Sequence, residues 1–445
     1  MKQKILIISM LFACTLSLSA ENTVEKPAKW DLKTCIEYAK KNNIQVQKAK
    51  ISTQESDVTL KQSKEALYPN VSASSSFSFS NGKIKKSTTE NEYVNNASLG
   101  SNYAINAGMT LFNGLKNYNT IKQNELSKKA SELNTKETEN NIEVAITEAY
   151  LEILYAHETL EMAKRTVETS KAQVALSQNL LNAGSIAKAD FSQVQSQYSS
   201  DQYSVVTAQN NYDTQKLTLK QLLELDMMDE LEIVFPKVEE SDVLAALPAK
   251  ADVYQTALNV MPQIQNSELS VQLAEYDLKN ARSSYYPTLS LNAGLSTSHD
   301  VDVDESYGNQ LNHNFYQSFG LSLSIPIYSN GSTRASVQKA RFSIQSAKLD
   351  YTSAQKSLLK TVESLYQDAI SMQSKYYSAK EQLKSAEESY NLTEEQFKLG
   401  MKNTVELLTE KDNYLEAEQT LLQAKYGAVL SQKLLNFYQN IPIEL

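Results

Sequence analysis

The chain has 445 residues, 41% of them hydrophobic and 21% charged, with a formal net charge of −9. Contacts to phosphate need clustered Lys and Arg, so a chain this acidic is a poor partner for nucleic acid. Only 11 Gly and 8 Pro punctuate it, which suits long solvated helices rather than a stack of compact domains.

Residues 1–20 read as a secretory signal peptide. Lys2 and Lys4 give the positive start, Ile5 to Phe12 is the apolar run, and Ser17-Leu18-Ser19-Ala20 offers small residues for cleavage. Cys14 allows a rival reading as a lipid-anchored cysteine, although Phe12 stands where a small residue is usual. After cleavage only Cys35 remains, so packing rather than a disulfide must hold the fold. No other run of 18 or more apolar residues exists, so no transmembrane helix is expected.

Residues 30–66 are helical in pattern, with Leu32, Ile36, Ala39, Ile44, Val46 and Ala49 on one stripe and Asp31 as the cap. Pro69 should end this helix at Tyr68. The segment 71–80, VSASSSFSFS, alternates apolar residues with serines and predicts a strand. Residues 81–102 are polar and read as a loop. A second strand follows over 103–112, with Tyr103, Ile105, Ala107, Met109 and Leu111 on one face, and Asn113-Gly114 breaks it. Residues 119–182 contain neither Pro nor Gly and predict a helix about 95 Å long, which Gly184 should stop in a left-handed conformation. A second helix starts near Lys188 or Asp190. Its seam is Phe191, Val194, Tyr198, Asp201, Val205, Ala208, Tyr212, Gln215, Leu219 and Leu222, alternately three and four apart. The two helices make an antiparallel hairpin with its tip at 182–187.

After a connector at 227–250 the plan recurs. Gln263-Ile264-Gln265 echoes Gln45-Val46-Gln47, Pro287 echoes Pro69, Asn330-Gly331 echoes Asn113-Gly114, and Gly400 echoes Gly184. Strands are expected over 289–298 and 315–327, a long helix over 334–399, and a second seam of Leu407, Glu410, Tyr414, Ala417, Leu421, Ala424, Ala428, Ser431, Leu435 and Tyr438. The chain therefore divides into a first repeat (21–226), a connector (227–250) and a second repeat (251–445), with the second hairpin tip near 398–404. Each strand is apolar on one face and Ser, Asn or Gly on the other, the pattern of a membrane barrel. Four strands cannot close, and an open edge in lipid leaves backbone groups unsatisfied. Two copies would give eight strands, whose interior fills with side chains, whereas three give twelve and a lumen. The expected fold is thus a mixed α and β membrane protein, internally duplicated. It forms a trimeric 12-stranded outer-membrane β-barrel continuous with an α-helical coiled-coil barrel.

The opening from Leu32 to Gln47, the duplicated strand–hairpin plan and the two glycine-centred tips resemble the TolC-type outer-membrane efflux protein family over nearly all of the mature chain. The resemblance implies a homotrimeric channel-tunnel in the outer membrane of a Gram-negative bacterium, with a periplasmic extension. It would export small molecules (drugs, toxic compounds) or proteins. It would work with a periplasmic adaptor and an inner-membrane efflux pump or ABC exporter. The resemblance places LNAGSIAKAD (181–190) and FKLGMKNTVE (397–406) at the end nearest the inner membrane. There Leu181, Gly184, Ser185, Leu399, Gly400 and Met401 would dock the adaptor. It also places Glu406 at the constriction of the bore, with Thr409 where relatives carry a second acidic residue. Asp190 and Lys402 match tip positions that pair to hold the closed state in relatives. By their residues alone these are hairpin turns with solvated charges, flanked by exposed Leu181 and Leu399.

The run His299 to Glu305, HDVDVDE, resembles half a calcium loop, but Glu305 stands where such a loop turns on glycine. It reads as a solvated extracellular loop. Three scattered His, and no nucleophile triad, phosphate loop or acid–base carboxylate pair, predict neither an enzyme nor a cofactor. The competing class is an exported coiled-coil rod or adhesin, which accounts for the heptads but not for four membrane-type strands.

Overall fold

The structure is a computed structural model that describes residues 27–85 and 93–445. The expected signal peptide and Cys14 lie outside the described residues. The elements run α1 (Leu32–Asn42), α2 (Ile44–Glu65), β1 (Asn70–Lys85), β2 (Tyr93–Asn113), α3 (Lys116–Asn182), α4 (Lys188–Leu222) and α5 (Glu240–Val243). They continue with α6 (Lys250–Val260), α7 (Pro262–Ser283), β3 (Thr288–Asp300), α8 (Tyr307–His313), β4 (Tyr316–Ser324), α9 (Ser332–Lys398) and α10 (Thr404–Tyr438). The duplication extends to helix length. The pairs α1/α6, α2/α7, α3/α9 and α4/α10 have 11, 22, 67 and 35 residues in both copies. At about 1.5 Å per residue, α3 and α9 are each about 100 Å long.

The four strands form one antiparallel sheet in the order β1-β2-β3-β4, so β1 and β4 are its edges. Direct cross-strand partners share a face. The rows Val71–Ala107–Ala293–Phe319 and Met109–Leu291–Leu321 make one face apolar, and Ser72–Asn106–Gly294–Ser318 makes the other polar. Phe77, Phe319 and Leu321 are exposed, and every residue of β4 is exposed.

Three strand expectations need correction. Residues 81–102 are not a loop: β1 continues to Lys85 and β2 begins at Tyr93, paired throughout from Ser80–Ser98 to Lys85–Tyr93. Backbone pairing across a hairpin does not need apolar side chains, so the hairpin runs on past Asp300, where β3 ends. Leu111 does not continue the apolar row of β2. A bulge between Thr110 and Phe112 leaves it out of register, and Phe112 takes the place opposite Leu289. In the last strand, pairing stops at Ser324, just before Pro326, which has no N–H to donate. Ile325 and Ile327 therefore lie past the strand.

The helices pack in a fixed lateral order. On the strand side the neighbours run α2, α3, α7, α9; on the tip side they run α4, α3, α10, α9. The main core lies where the two orders meet. There Trp30, Ile36, Ile146, Tyr150, Leu154, Leu219, Leu223 and Val429 are buried together. The connector closes over it: Trp30 donates its N–H to the Glu232 carbonyl (2.9 Å) and accepts from Val234 (3.0 Å), a one-residue parallel bridge. Burial pushes the Cys35 thiol up to about 12, so it packs as a small apolar group. A smaller core around Val253, Met261, Val362 and Leu435 serves the second repeat.

The helix expected over 30–66 is two helices, broken at the buried Asn43. Its backbone is extended (φ −60°, ψ 131°). Its side chain accepts from Gln45 N–H (2.9 Å) and donates to the carbonyl of Leu222 at the end of α4 (3.0 Å). This is an N-cap that also stitches α4 end-on beneath α2. Asn43→Ala should cost about 1–2 kcal/mol by loss of both bonds. Amides of the α1–α2 junction should then exchange about tenfold faster in hydrogen-exchange measurements, while those of β2 and β3 stay unchanged.

Candidate docking tips and helical gate

Both hairpins turn by the same backbone device. At the end of α3 the Gly184 N–H bonds the Leu181 carbonyl (3.0 Å) and Ser185 N–H bonds Leu180 (2.8 Å), with Gly184 at φ +73°. At the end of α9 the Gly400 N–H bonds Phe397 (2.9 Å) and Met401 N–H bonds Gln396 (2.9 Å), with Gly400 at φ +72°. These paired bonds are the Schellman ending of a helix, which needs a left-handed residue. No atom stands within 4 Å of a Cβ added at either glycine, so the requirement is conformational and not steric.

The two tips lie side by side and line one open cleft of ≈ 660 Å³. Gly184, Ser185 and Asp190 come to it from one tip, and Gly400, Met401, Lys402 and Glu406 from the other. Leu399 and Met401 are exposed, as apolar docking groups would be. Leu181, expected to be exposed, is half-buried. Beneath the tips Phe397, Leu407 and Tyr390 are buried against Leu176 and Leu180, which fixes one hairpin against the other.

The charges are arranged differently from the pairing that the resemblance implied. Within one chain Lys402 does not meet Asp190. Its Nζ lies 2.5 Å from Glu406 Oε1, while Asp190 accepts from the backbone N–H of Ala187 (3.2 Å). Glu406 also forms a reciprocal cap with Asn403: each side chain accepts the other's backbone N–H, at 3.1 and 2.9 Å. The Lys402 bond first, and the Asn403 N–H second, hold the Glu406 carboxyl below the usual range. Thr409, one turn on from Val405, is exposed and bonds the Val405 carbonyl (2.9 Å).

Sequence reasoning passed over a fully buried ion pair of the helical region. Lys411, on α10, is buried at 2% exposure. Its Nζ lies 2.6 Å from Asp201 Oδ2 on α4 and 2.6 Å from Ser170 Oγ on α3. Ser170 Oγ also bonds Asp201, and Gln197 donates to the other carboxylate oxygen (3.0 Å). The signal was there: Asp201 sits in an apolar seam, and a buried carboxylate demands a cation. The seam alone does not say which helix supplies it.

The acidic segment after β3 is organised around Gln310. Backbone carbonyls of Asp300, Val303 and Glu305 converge on the amide nitrogen of buried Gln310 at 3.0, 3.2 and 2.9 Å. Among the described residues no group of three or more His, Cys, Asp or Glu is placed to hold a metal ion, and no helix is long and apolar enough to cross a membrane.

Two outcomes follow for the helical end. Gly184→Ala or Gly400→Ala should cost about 1–2 kcal/mol locally, because a Cβ disfavours the left-handed conformation; tip amides should exchange about tenfold faster, and Asn at the same place should restore much of the protection. Lys411→Met should destabilise the helical region by about 3–5 kcal/mol by stranding Asp201, and the double variant Lys411→Met/Asp201→Leu should recover most of it, read as thermal unfolding by circular dichroism.

Comparison with known proteins agrees with this geometry. The outer membrane efflux protein family matches residues 35–224 and 253–437. The alkaline protease secretion protein AprF of Pseudomonas aeruginosa is 25% identical over 169 residues, which span 38% of this chain and about a third, 34%, of that relative. Among solved structures, CusC superposes with a TM-score of 0.78 at 18% identity, over 94% of this chain and 96% of that one. VceC of Vibrio cholerae gives 0.74 at 14% identity, over 93% and 97%. The CmeC outer membrane channel of Campylobacter jejuni gives 0.74 at 18% identity, over 92% and 86%. The likeness covers the sheet and the long helices together, and with the family match over both repeats it means that this chain belongs to the outer membrane efflux protein family and has the fold of its channels.

Proposed function

We propose that three copies of this chain close a twelve-stranded barrel in the outer membrane and continue it as a helical tube into the periplasm. The tube conducts solutes outward from an inner-membrane pump and a periplasmic adaptor. The observation that carries this reading is the sheet. It has one apolar face, two unpaired edges, and 67-residue helices leaving it from β2 and β4. In lipid those edges require partners, and β4 of one copy beside β1 of the next supplies them. Three such sheets give twelve strands, wide enough for a lumen lined by the Ser72–Asn106–Gly294–Ser318 rows. A rod or adhesin has no use for such a sheet.

In this reading the exposed Leu399 and Met401, with the glycine turns, form the surface that meets the adaptor. The cleft between the tips takes an apolar loop or hairpin end from it. Glu406 and Thr409 line the narrow end of the bore. Three Glu406 carboxylates, each bonded to its own Lys402, then make a weak ring that favours cations. The name of AprF points to protein cargo, and the family description to efflux; both remain compatible with a tube of this length.

The assembly is tested by native mass spectrometry of detergent-extracted protein and by conductance in planar bilayers. The expected result is a trimer that conducts; a single chain with no conductance would sink the reading. Glu406→Gln should reduce the cation preference of that conductance. Because the folded-state carboxyl is held low, the same preference in the native protein should persist as the pH falls through the ordinary carboxylate range and fade only below it. Lys402→Met should move that fading to higher pH.

A further inference from the structure

The short helix α8 packs on the apolar face of the sheet. Cross-strand partners place Ser75, Tyr103 and Thr297 in one row and Ala73, Ile105 and Leu295 in the next, both on that face. Thr297 donates its hydroxyl to the Leu311 carbonyl (2.6 Å), and Tyr307 donates to the Tyr103 hydroxyl (3.0 Å). The His299 ring lies against that of Tyr307, with 4.7 Å between centroids. Asn314 adds a bond from its amide to the Ser298 carbonyl (2.8 Å). In a barrel whose apolar face meets lipid, α8 therefore stands on the outside wall, near the outer ends of the strands.

Beside α8 the same face holds a groove of ≈ 440 Å³. Its floor is the small pair Ala73 and Ser75, and Tyr103, Ile105, Leu295 and Phe315 stand round it. Phe315 directly follows Asn314, the cap of α8. Ile105, Leu295 and Phe315 remain 49, 42 and 50% exposed, so the groove is apolar and open to what lies outside the wall.

Height along the strands says what that is. From the Phe112–Leu289 row to the Tyr103–Thr297 row is about 30 Å of strand. At a tilt of 35–45° this covers roughly 20–25 Å, the apolar band of a membrane barrel. Phe77, edge-on to Tyr103 at 6.2 Å, and Tyr307 then stand at its outer boundary, where aromatic girdles lie. Beyond them the same side of β1 carries Phe79 and then the exposed cations Lys83 and Lys85. These are six and eight residues past Phe77, which is about 15–20 Å above the boundary after tilt. A phospholipid headgroup reaches only about 5–8 Å past the hydrocarbon. Lysine stems reach back toward the membrane, but the cations are placed for phosphates carried higher, on a saccharide.

We propose that this outer wall binds one outer-leaflet lipid per chain, a multiply acylated glycolipid with phosphates on its sugars. One acyl chain lies in the groove beside α8, and the sugar phosphates meet Lys83 and Lys85. The inference rests on the barrel proposed above, with its apolar face toward lipid. The groove continues the surface that already meets the membrane, and the paired lysines complement phosphate in a chain that is otherwise acidic. Continuity supplies the chain site, and charge selects the headgroup.

The probe is rough-type lipopolysaccharide with a phosphorylated core, titrated into delipidated detergent-extracted protein and read by native mass spectrometry. The expected result is up to one bound molecule per chain, with phosphatidylglycerol binding at least tenfold more weakly. K83E/K85E should weaken the lipopolysaccharide at least tenfold, and enzymatic removal of the core phosphates should do the same to the native protein. A73F/S75F, which fills the groove, should weaken it at least fivefold. Conductance of both variants should stay within twofold of the native channel, which shows that the barrel has formed. A conducting K83E/K85E channel that binds as the native protein does, or equal binding of phosphatidylglycerol, would overturn the phosphate contact. Unchanged binding by a conducting A73F/S75F channel would overturn the acyl groove. In each of these cases the barrel stands; a single chain with no conductance would remove the barrel and this site together.

Discussion

A β-sheet in lipid must end on itself, because hydrocarbon offers nothing to an unpaired N–H or carbonyl. This chain makes only four strands, and its sheet runs from β1 to β4 without closing. That one deficit accounts for much of the rest. The apolar face is complete, the polar face is continuous from strand to strand, and the exposed edges fall at the two ends of the order. Those edges extend downward as α2 with α4 on one side and α9 on the other. The same lateral order holds in the strands and in the helices because each helix simply continues or feeds a strand.

Length is set by repetition and not by a large core. Helices of 67 residues carry narrow buried stripes, and their other positions stay wet. The largest core lies in the belt where α1, α5 and the connector wrap the long helices, with a small cluster around Phe397 and Leu407 beneath the tips. In the belt Asn43 and Met261, at equated positions, break the helical run so that α2 and α7 can be stacked over the ends of α4 and α10. The break converts a pair of hairpins into four near-continuous columns. Above and below this belt the chain has little to bury by itself, and its exposed apolar residues recur at helix spacing on the outward sides of α2, α4 and α9.

Duplication supplies the scaffold, and the polar contacts depart from it. Identical lengths keep the two halves parallel and bring both tips to one cleft. The polar residues have diverged: Asp201 corresponds to Ala417, and Lys411 to Gln195. A charge pair can only be present on one of two otherwise equivalent seams if the halves are free to differ, which a single chain allows and a six-copy ring of identical halves would not.

The sequence alone determined the repeats, the four amphipathic strands, the heptad seams and the two glycine turns, because each is written as a local period or a local stop. Residues of the first seam, Phe191 to Leu222, are all buried or half-buried, and those of the second, Leu407 to Tyr438, likewise. The tertiary structure decided what local periods do not encode. It extended the β1–β2 hairpin through a polar stretch, since backbone bonds hold it. It put a bulge at Leu111, since closure against β3 fixes register. It split the first helix at Asn43, since a carbonyl from α4, 179 residues away, accepts from the amide. It also chose Lys411 as the partner of Asp201 and Glu406 as the partner of Lys402. The Lys411–Asp201 partners come from helices that meet only after folding, and no spacing along the chain names them; Lys402 and Glu406 stand four residues apart, a spacing that was readable.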